Sequence, residues 1–479
     1  MYKAYITELK NVRPHPNADR LQLGDCFGNT VCIDLSYTEG QVGVYFPTDG
    51  QLSVEFAEAN NLLRKKDDAG NNCGGYMDLS KRNVCAIRLR GEKSDGLFLP
   101  LKSLESFGDV STLRVGDTID VFNGHEICRK YIPRRNIVEY NKQKYGSKIP
   151  HKKIPIAPLF MEHADIEQLA YNLSAFKPGD EIEITLKMHG TSQRTGYLPI
   201  LKEGVYEYTS VIKEIIHRLI PIKSLRHAFG KKFGKPHYDW GYVSGTRHTV
   251  LDNYDDGYYG SNEFREQHSK TFEGKLWKGE TVYYKVVGFT RTGAPIMAEG
   301  NNEKLGKDFV KQYGKETIFS YGCSSNGYEI RLDGATAGLP QSDIYVYRMT
   351  MTNEDGAVVE YSPDFMRYRC EQMGVKCVPV FTKGYITDNY IISTTYENGA
   401  KEYYHETLGE AIKALAEQYY DGPDPIGKTH IREGVVVRIV NRPKFTAFKH
   451  QNFDFKQLEG LIKDTMTAPD MEEAQEIEK

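Results

Sequence analysis

One lysine stands in a setting that suits covalent chemistry. The stretch that contains it is Leu186-Lys187-Met188-His189-Gly190-Thr191-Ser192, and apolar and polar residues alternate just before it. This alternation predicts a β-strand that ends near Lys187, and Gly190 would let the backbone approach a ligand closely. A lysine amine without its proton is a nucleophile, so the stretch is a candidate for covalent catalysis. A surface lysine beside a turn is the alternative interpretation.

Further groups of charged and aromatic residues follow downstream. In chain order they are Ser244-Gly245-Thr246-Arg247, Tyr283-Tyr284-Lys285-Val286-Val287-Gly288, Tyr345-Val346-Tyr347-Arg348, Glu433-Gly434-Val435-Val436-Val437-Arg438 and Phe448-Lys449-His450-Gln451. Each group alone has an ordinary structural interpretation, such as a core tyrosine on a strand or a solvated glutamate at a strand end. Their order along the chain carries more information than any single group.

This order resembles that of motifs I, Ia, III, IIIa, IV and V in the covalent nucleotidyltransferases, which comprise RNA ligases, DNA ligases and mRNA-capping guanylyltransferases. His189 matches the RNA-ligase form of motif I, where the other two classes usually carry aspartate. Those classes also place an OB-fold after motif V, whereas only Asn452–Lys479 follow it here. The resemblance covers nearly the whole chain and implies an ATP-dependent, nick-sealing RNA ligase with an N-terminal OB-fold domain.

The resemblance also implies a role for each matched residue. Lys187 would be the nucleophile that carries AMP, which requires that its pKa be lowered from about 10.4. Glu433 would bind Mg²⁺ or Mn²⁺, and Lys449 would neutralise the α-phosphate of ATP. Arg247 would meet the 5′-phosphate or the AMP, and Tyr347 would be the platform for adenine.

Two sets of site residues follow from this resemblance. The predicted catalytic residues are Lys187, Lys449, Arg247 and His189. The predicted nucleotide site comprises Leu186, Lys187, Gly190, Ser192, Arg247, Lys285, Tyr347, Glu433 and Lys449, with Glu433 as the metal ligand.

The reaction implied is the joining of 3′-hydroxyl and 5′-phosphate RNA ends through lysyl-AMP and RNA-adenylate, in RNA repair. Two positions depart from the family pattern: motif III carries Lys285 in place of a glutamate, and motif V carries Gln451 in place of a second lysine. One hypothesis is that Lys285 takes over the missing phosphate-neutralising charge, and a second is that Lys456 reaches back to do so. A third is a weakened or inactive ligase-like protein that binds RNA ends. A DNA ligase or capping guanylyltransferase is a further alternative.

The scaffold that must position these residues is predicted to be α+β. Apolar runs separated by turn signals predict a small β-barrel over residues 1–125, with the OB-fold as its expected form and RNA binding as its expected role. Residues 126–155 are basic and rich in proline, and are predicted to be a linker. Residues 156–479 are expected to form the nucleotidyltransferase domain, an ATP-grasp-like ligase adenylyltransferase domain of antiparallel sheets with flanking helices.

Three segments carry more detailed predictions. Pro14–Leu21 resembles the opening of tRNA-binding OB-folds, although a structural turn is the alternative. Helices are expected over 208–225 and 408–420. In the first of these, Val211, Ile215, Ile216 and Leu219 are expected to be buried, with the neighbouring cations turned outward as a surface for phosphates or as an ordinary solvated face.

Composition sets the remaining expectations. The net charge of −3 says nothing about a nucleic-acid partner, and the eight cysteines include no C-x-x-C pair that would indicate a zinc ribbon. The N-terminus lacks a signal-peptide core, and no apolar run approaches the length of a membrane span. We therefore expect a soluble, cytoplasmic monomer in a reducing compartment, with no membrane partner.

Overall fold

Strands are the main regular structure among the described residues, and the helices there are short. The computed structural model describes residues 2–65, 74–131, 155–251, 254, 263–288, 290, 296, 311, 342–388, 390–395, 399–404, 407–426 and 431–457. Most of the predicted basic linker, residues 132–154, lies outside the described residues.

The N-terminal strands are short because turn-forming residues interrupt the apolar runs every few positions. Their bounds are β1 (Ala4–Glu8), β2 (Lys10–Pro14), β3 (Leu21–Cys26), β4 (Asn29–Asp34), β5 (Val42–Phe46), β6 (Gly50–Leu52), β7 (Asn83–Val84), β8 (Ala86–Leu89), β9 (Glu92–Asp95), β10 (Leu97–Pro100), β11 (Thr118–Ile119), β12 (Val121–Phe122), β13 (His125–Glu126) and β14 (Cys128–Lys130). One helix lies among them, α1 (Val54–Ala59), and the Ser53 side chain caps it by accepting a hydrogen bond from the Phe56 amide.

These strands form several small sheets. β1 lies between β5 and β11 with β10 beyond β5, β2 to β4 form a second sheet, and β6 lies between β7 and β14. The β6–β14 pairing joins Leu52 to Cys128, so the N-terminal strands continue past residue 125. Among the described residues they close no single barrel. A strand-rich N-terminal region is therefore confirmed, whereas the OB-fold stays a prediction.

The Pro14–Leu21 segment packs against the hairpin of β8 and β9. His15 is buried, with its Nε2 at 3.1 Å from the Leu89 carbonyl oxygen, and its Nδ1 accepts the Asn17 amide. The Asn17 side chain in turn donates to the Arg90 carbonyl at 3.0 Å. These contacts are those of a structural turn that fixes one hairpin to another.

The C-terminal part contains longer strands and five of the described helices. The strands are β15 (Glu167–Gln168), β16 (Glu181–Leu186), β17 (Thr191–Glu207), β18 (Lys235–Gly245), β19 (Val250–Leu251), β20 (Glu280–Gly288), β21 (Ser342–Thr352), β22 (Val358–Glu360), β23 (Lys376–Cys377), β24 (Val380–Thr387), β25 (Tyr390–Thr395), β26 (Gly399–Tyr404), β27 (Gly434–Ile439) and β28 (Thr446–Gln451). The helices are α2 (Val211–Leu219), α3 (Lys223–Phe233), α4 (Glu263–Lys270), α5 (Pro363–Met373) and α6 (Leu408–Glu417).

Two seven-stranded sheets organise this part. The first has the order β15-β28-β27-β16-β24-β25-β26, and the second has the order β19-β18-β17-β20-β21-β22 with β23 beside β21. Their pairings are antiparallel, except that β15 runs parallel to β28 and β23 runs parallel to β21. A sheet-rich mixture of strands and helices is therefore confirmed.

Side chains that alternate along the strands build several cores around the two sheets, and three of them bear on the site. Ile184 of β16 packs with Leu415 of α6 on the outer face of the first sheet. Tyr284 of β20 packs with Met366 of α5 on the outer face of the second. A third, smaller core contains residues from both sheets: Leu186, Met188, Val287, Tyr345 and Val378. This third core lies where the chain crosses between the sheets, directly beside Lys187.

The helix predictions had different outcomes. The helix expected over 408–420 is confirmed as α6, whose Thr407 cap accepts from the Glu410 amide. The helix expected over 208–225 is two helices, α2 and α3, because Pro221 lies between them and cannot continue a helix. Its apolar residues are exposed rather than buried, so that prediction was wrong. Among the described helices, none is long and apolar enough to cross a membrane.

The N-terminal sheets pack directly on the C-terminal part. Tyr171 stacks on Tyr5 with ring centroids 4.5 Å apart. Arg88 forms an ion pair with Asp454 at 2.7 Å, just after β28. The residues that follow β28 are therefore held between the two regions, a short distance along the chain from Lys449.

Candidate active site

Lys187 lies at the point where the chain leaves the first sheet for the second. It follows the last residue of β16, as predicted, and its amide donates to the Gly434 carbonyl at 3.0 Å. Gly190 leaves no room for a side chain, because a Cβ there would lie 2.6 Å from the Val286 carbonyl oxygen. The turn is therefore held against β27 on one side and β20 on the other, which fixes the start of the Lys187 side chain.

The Lys187 ammonium forms an ion pair with the carboxylate of Glu433. His189 Nδ1 lies 3.7 Å from the other carboxylate oxygen, and Gln451 Nε2 donates to Glu433 at 3.3 Å. Glu433 is only 6% exposed. Burial by itself raises the pKa of Glu433, but the charges and hydrogen bonds of Lys187 and His189 outweigh it and hold the pKa well below its ordinary value. Glu433 is therefore a buried carboxylate that stays charged at neutral pH.

Gly434 directs Glu433 toward the lysine. Its φ is 144°, a conformation that favours glycine, and a Cβ there would lie 2.1 Å from the His450 carbonyl oxygen. No other residue fits at this position without moving β28. The Glu-Gly pair at the start of β27 is thus a geometric requirement of the Glu433–Lys187 contact.

Lys449 projects from the inner face of the first sheet. Ile184, Val437 and Phe448 lie opposite one another and point into the outer core. The next row, Thr185, Val436 and Lys449, therefore points to the other face. Thr185 is two residues before Lys187, so Lys449 is presented on the side of the sheet that carries the nucleophile candidate.

A β-bulge sets the direction of Tyr347. Tyr283 lies opposite Arg348 and Tyr284 lies opposite Val346, so Tyr347 is the extra residue on β21. Bulges re-aim side chains and are common beside active sites. Tyr347 packs against the core of Leu186 and Met188, on either side of Lys187 in the chain. Its ring therefore lies against the residues that flank Lys187.

Other predicted residues lie further from the Lys187–Glu433 pair. Arg247 forms an ion pair with Asp165, and its Nε is buried without a hydrogen-bond partner in the described part of the chain. Ser192 is buried on β17 opposite Lys285. Lys285 Nζ donates to the carbonyl oxygen of Gly190 at 2.8 Å, which places its charge against the motif I turn.

The hypothesis that Lys456 reaches back to the site was wrong. Its Nζ lies 2.8 Å from Asp95 of the N-terminal region, because the residues after β28 turn toward that region. The neighbouring residue, Phe455, is the one that contacts the site, with its ring centroid 4.9 Å from that of His189.

His163 is a site residue that sequence reasoning missed. Its ring lies 5.0 Å from that of Tyr347, and its Nδ1 lies 3.3 Å from Arg348. Burial lowers the pKa of His163 well below its ordinary value, and the charges of Arg348, Arg247 and Lys285 lower it further. The imidazole is therefore neutral at physiological pH. No motif marks this residue, since it lies in an irregular segment before β15.

Glu433 is the buried carboxylate that this site offers to a divalent cation. No cluster of three or more His, Cys, Asp or Glu side chains suited to a metal occurs among the described residues. Mg²⁺ is commonly held by one or two carboxylates together with substrate phosphates rather than by an all-protein cage. Glu433 fits that mode, because it is charged and lies beside Lys187.

Comparison with known proteins bears on the fold. No protein-family model matches the sequence, and no curated protein matches it. Two solved structures of Naegleria gruberi RNA ligase variants with ATP and Mn are similar to the chain. The first is 16% identical with a TM-score of 0.50, and the match covers 95% of this chain and 98% of that chain. The second is also 16% identical with a TM-score of 0.50, over 96% of this chain and 99% of that chain. The chain therefore has the fold of an RNA ligase over nearly its whole length.

Proposed function

We propose that this protein is an ATP-dependent RNA ligase that joins 3′-hydroxyl and 5′-phosphate ends, with a role in RNA repair. One observation carries the proposal. Within an RNA ligase fold, the Lys187 amine lies at a strand end against a buried carboxylate, Glu433. A surface lysine beside a turn would not need a carboxylate held in place by a glycine that tolerates no side chain.

The reaction consists of three displacements at phosphorus. Lys187 loses a proton and attacks the α-phosphate of ATP, so that an N–P bond forms and pyrophosphate leaves. The AMP then passes to a 5′-phosphate end, which frees Lys187 and forms a 5′–5′ pyrophosphate linkage. A 3′-hydroxyl attacks that end, the phosphodiester forms, and AMP leaves. Each step depends on positioning and charge neutralisation, so one pocket serves all three.

The surrounding residues supply that positioning. Lys187 must leave its ion pair with Glu433 before attack, and Glu433 would then be free to hold Mg²⁺ or Mn²⁺. The bound metal would supply charge neutralisation at the phosphates. Tyr347 is the proposed adenine platform, and Lys449 neutralises the α-phosphate. Arg247 meets the 5′-phosphate or the AMP, a role that is supported by a buried Nε without a hydrogen-bond partner among the described residues.

We propose that the N-terminal strands through β14 form an OB-fold that holds RNA beyond the break, so that the domain predicted over 1–125 extends to Lys130. The remainder of 126–155 is the proposed linker, and 156–479 form the proposed nucleotidyltransferase domain. The ion pairs of Arg88 and Lys456 support a close association of the two regions. The prediction of a cytoplasmic monomer is retained.

The second candidate is a weakened or inactive ligase-like protein that binds RNA ends. It is favoured by Gln451, which places a neutral amide at 3.3 Å from Glu433 where the family pattern has a lysine. Both candidate functions are compatible with the fold, so a measurement of ligase activity has to distinguish them.

The deciding experiment is incubation of the protein with ATP labelled at the α-phosphate and with Mg²⁺ or Mn²⁺, followed by denaturing electrophoresis. We expect a covalent label on the protein and its transfer to nicked duplexes or broken single strands that carry a 5′-phosphate. A protein that binds such RNA but never acquires the label would support the second candidate. A panel with RNA or DNA on each side of the break would define the substrate.

Lys285 gives a more specific prediction. Lys285→Ala should lower the rate of lysyl-AMP formation by about tenfold or more, because it removes a charge beside the motif I turn. Lys275 is a matched control, since its Nζ also donates to a backbone carbonyl at 2.8 Å, that of Met373. Lys275→Ala should leave the rate unchanged. Equal rates for the two variants would rule out a role of Lys285 in phosphate neutralisation.

A further inference from the structure

The hairpin of α2 and α3 exposes a large apolar surface. It is inserted between β17 and β18, and Val211, Ile212 and Leu219 of α2 are 72%, 70% and 74% exposed. The other exposed members of this surface are Ile215, Ile216, Ile222, Leu225 and Phe233. The residues of α2 recur at the spacing of one helix face. Contiguous apolar surface of this kind marks a site of interaction.

The orientation of α2 is the reverse of that found in an ordinary surface helix. Its His217 faces the body of the protein, with its ring 5.2 Å from that of Tyr208 and 6.0 Å from that of Tyr206. Tyr206 also contacts His227 of α3, with the hydroxyl 3.1 Å from Nδ1. The side of the hairpin that packs at the end of β17 contains His217, His227, Phe229 and Gly230, whereas the aliphatic side chains of α2 are turned outward.

Positive charge surrounds the apolar surface. Residues 211–235 contain one acid, Glu214, which Arg218 already binds at 2.7 Å. The same residues contain seven cations, in a chain of net charge −3: Lys213, Arg218, Lys223, Arg226, Lys231, Lys232 and Lys235. Two of these, Lys213 and Lys232, lie 5.6 and 5.4 Å from the ring centroid of Phe233. Cationic and apolar side chains are therefore in contact at Phe233, on the border of the exposed apolar surface.

We infer that the α2–α3 hairpin docks on the surface of an anionic lipid bilayer, with its aliphatic side chains in the boundary between headgroups and acyl chains. Helices that lie in this interface combine an outward apolar face with lysines and arginines that meet anionic headgroups. That no helix in the described part of the chain is long and apolar enough to span a membrane does not bear on such an interfacial association.

Two other occupants fit the surface less well. RNA bases stack on aromatic side chains, whereas this surface is almost entirely aliphatic. A second copy of the chain would bring two groups of like charge together, which opposes association. An anionic bilayer satisfies the apolar and the cationic parts at once.

Flotation of the full-length protein with vesicles tests the inference. We expect binding to vesicles of phosphatidylcholine with phosphatidylglycerol, and weak binding to phosphatidylcholine alone. The double variant Ile212→Glu with Leu219→Glu should lower the partition coefficient by about tenfold or more, since it places charges in the apolar face. Both residues are exposed, so the variant should fold. Leu35→Glu with Leu79→Glu, at positions 55% and 56% exposed in the N-terminal region, should bind like the wild type.

Covalent labelling by ATP, measured on the same samples, should be equal in the wild type and both double variants. Failure of the wild type to float with anionic vesicles would overturn the inference, as would equal flotation of the Ile212→Glu, Leu219→Glu variant. If that variant instead converted a dimer to a monomer in light scattering, or weakened RNA binding without changing flotation, the surface would belong to a second copy or to RNA. Neither result depends on whether the protein ligates RNA.

Discussion

Replacement of Lys187 by arginine or alanine should abolish the covalent AMP label. Arginine keeps the positive charge beside Glu433 but cannot be deprotonated in a protein, so it cannot attack phosphorus. Alanine also removes the charge and leaves Glu433 buried without its main partner, which costs roughly 3 kcal/mol of stability. We therefore expect no label in either variant, with a thermal midpoint near that of the wild type for Lys187→Arg and a clearly lower midpoint for Lys187→Ala.

The pairing of the two variants separates chemistry from folding. Lys270→Ala is the control, because Lys270 also forms an ion pair with a glutamate but its side chain is 59% exposed. It should be labelled like the wild type. A label that survives in Lys187→Arg would place the nucleophile elsewhere and would remove the basis of the proposed function.

The position of Lys187 was predictable because it depends on local pattern. Ile182 and Ile184 alternate with polar residues, and burial of that alternate set forces a strand that ends at Leu186. Gly190, three residues after Lys187, fixes the turn. The pairing of Lys187 with Glu433 spans 246 positions in the chain, and no local rule predicts it. Only the order of the motifs, through the resemblance to the nucleotidyltransferases, predicted that these two residues share one site.

Other features could not be predicted because they depend on neighbours that are distant in the chain. The periodicity of Val211 to Leu219 predicts an apolar face, but not whether the body of the protein lies on that side. The exposure of this apolar face depends on which side of the hairpin packs against the end of β17. The N-terminal strands were predictable from alternation, whereas barrel closure depends on which distant strands pair. His163 lacks any pattern, and its importance arises from Tyr347 and Arg348, which belong to β21.

Replacement of Glu433 by glutamine should lower the rate of lysyl-AMP formation by about two to three orders of magnitude, or about 3–4 kcal/mol in the activation free energy. Glutamine keeps the size of the side chain but removes the charge that is proposed to hold the metal. The measurement is the single-turnover rate of labelling at saturating Mn²⁺. Glu371→Gln, at an exposed position on α5, should label at the wild-type rate. Wild-type labelling by Glu433→Gln would exclude Glu433 as the metal ligand.

The same variant should change the dependence of stability on pH. The folded-state pKa of Glu433 is depressed, so its carboxylate stabilises the fold above the unfolded-state pKa of about 4.3 and loses that contribution as the pH falls further. At pH 7 the wild type should therefore exceed Glu433→Gln by roughly 3 kcal/mol, because the variant leaves Lys187 without its carboxylate partner. Below about pH 4 this difference should shrink, since protonation of Glu433 makes the wild type resemble the variant. Denaturant unfolding of both proteins across this range measures the difference, and a gap that stays constant would show that the folded-state pKa of Glu433 is not depressed.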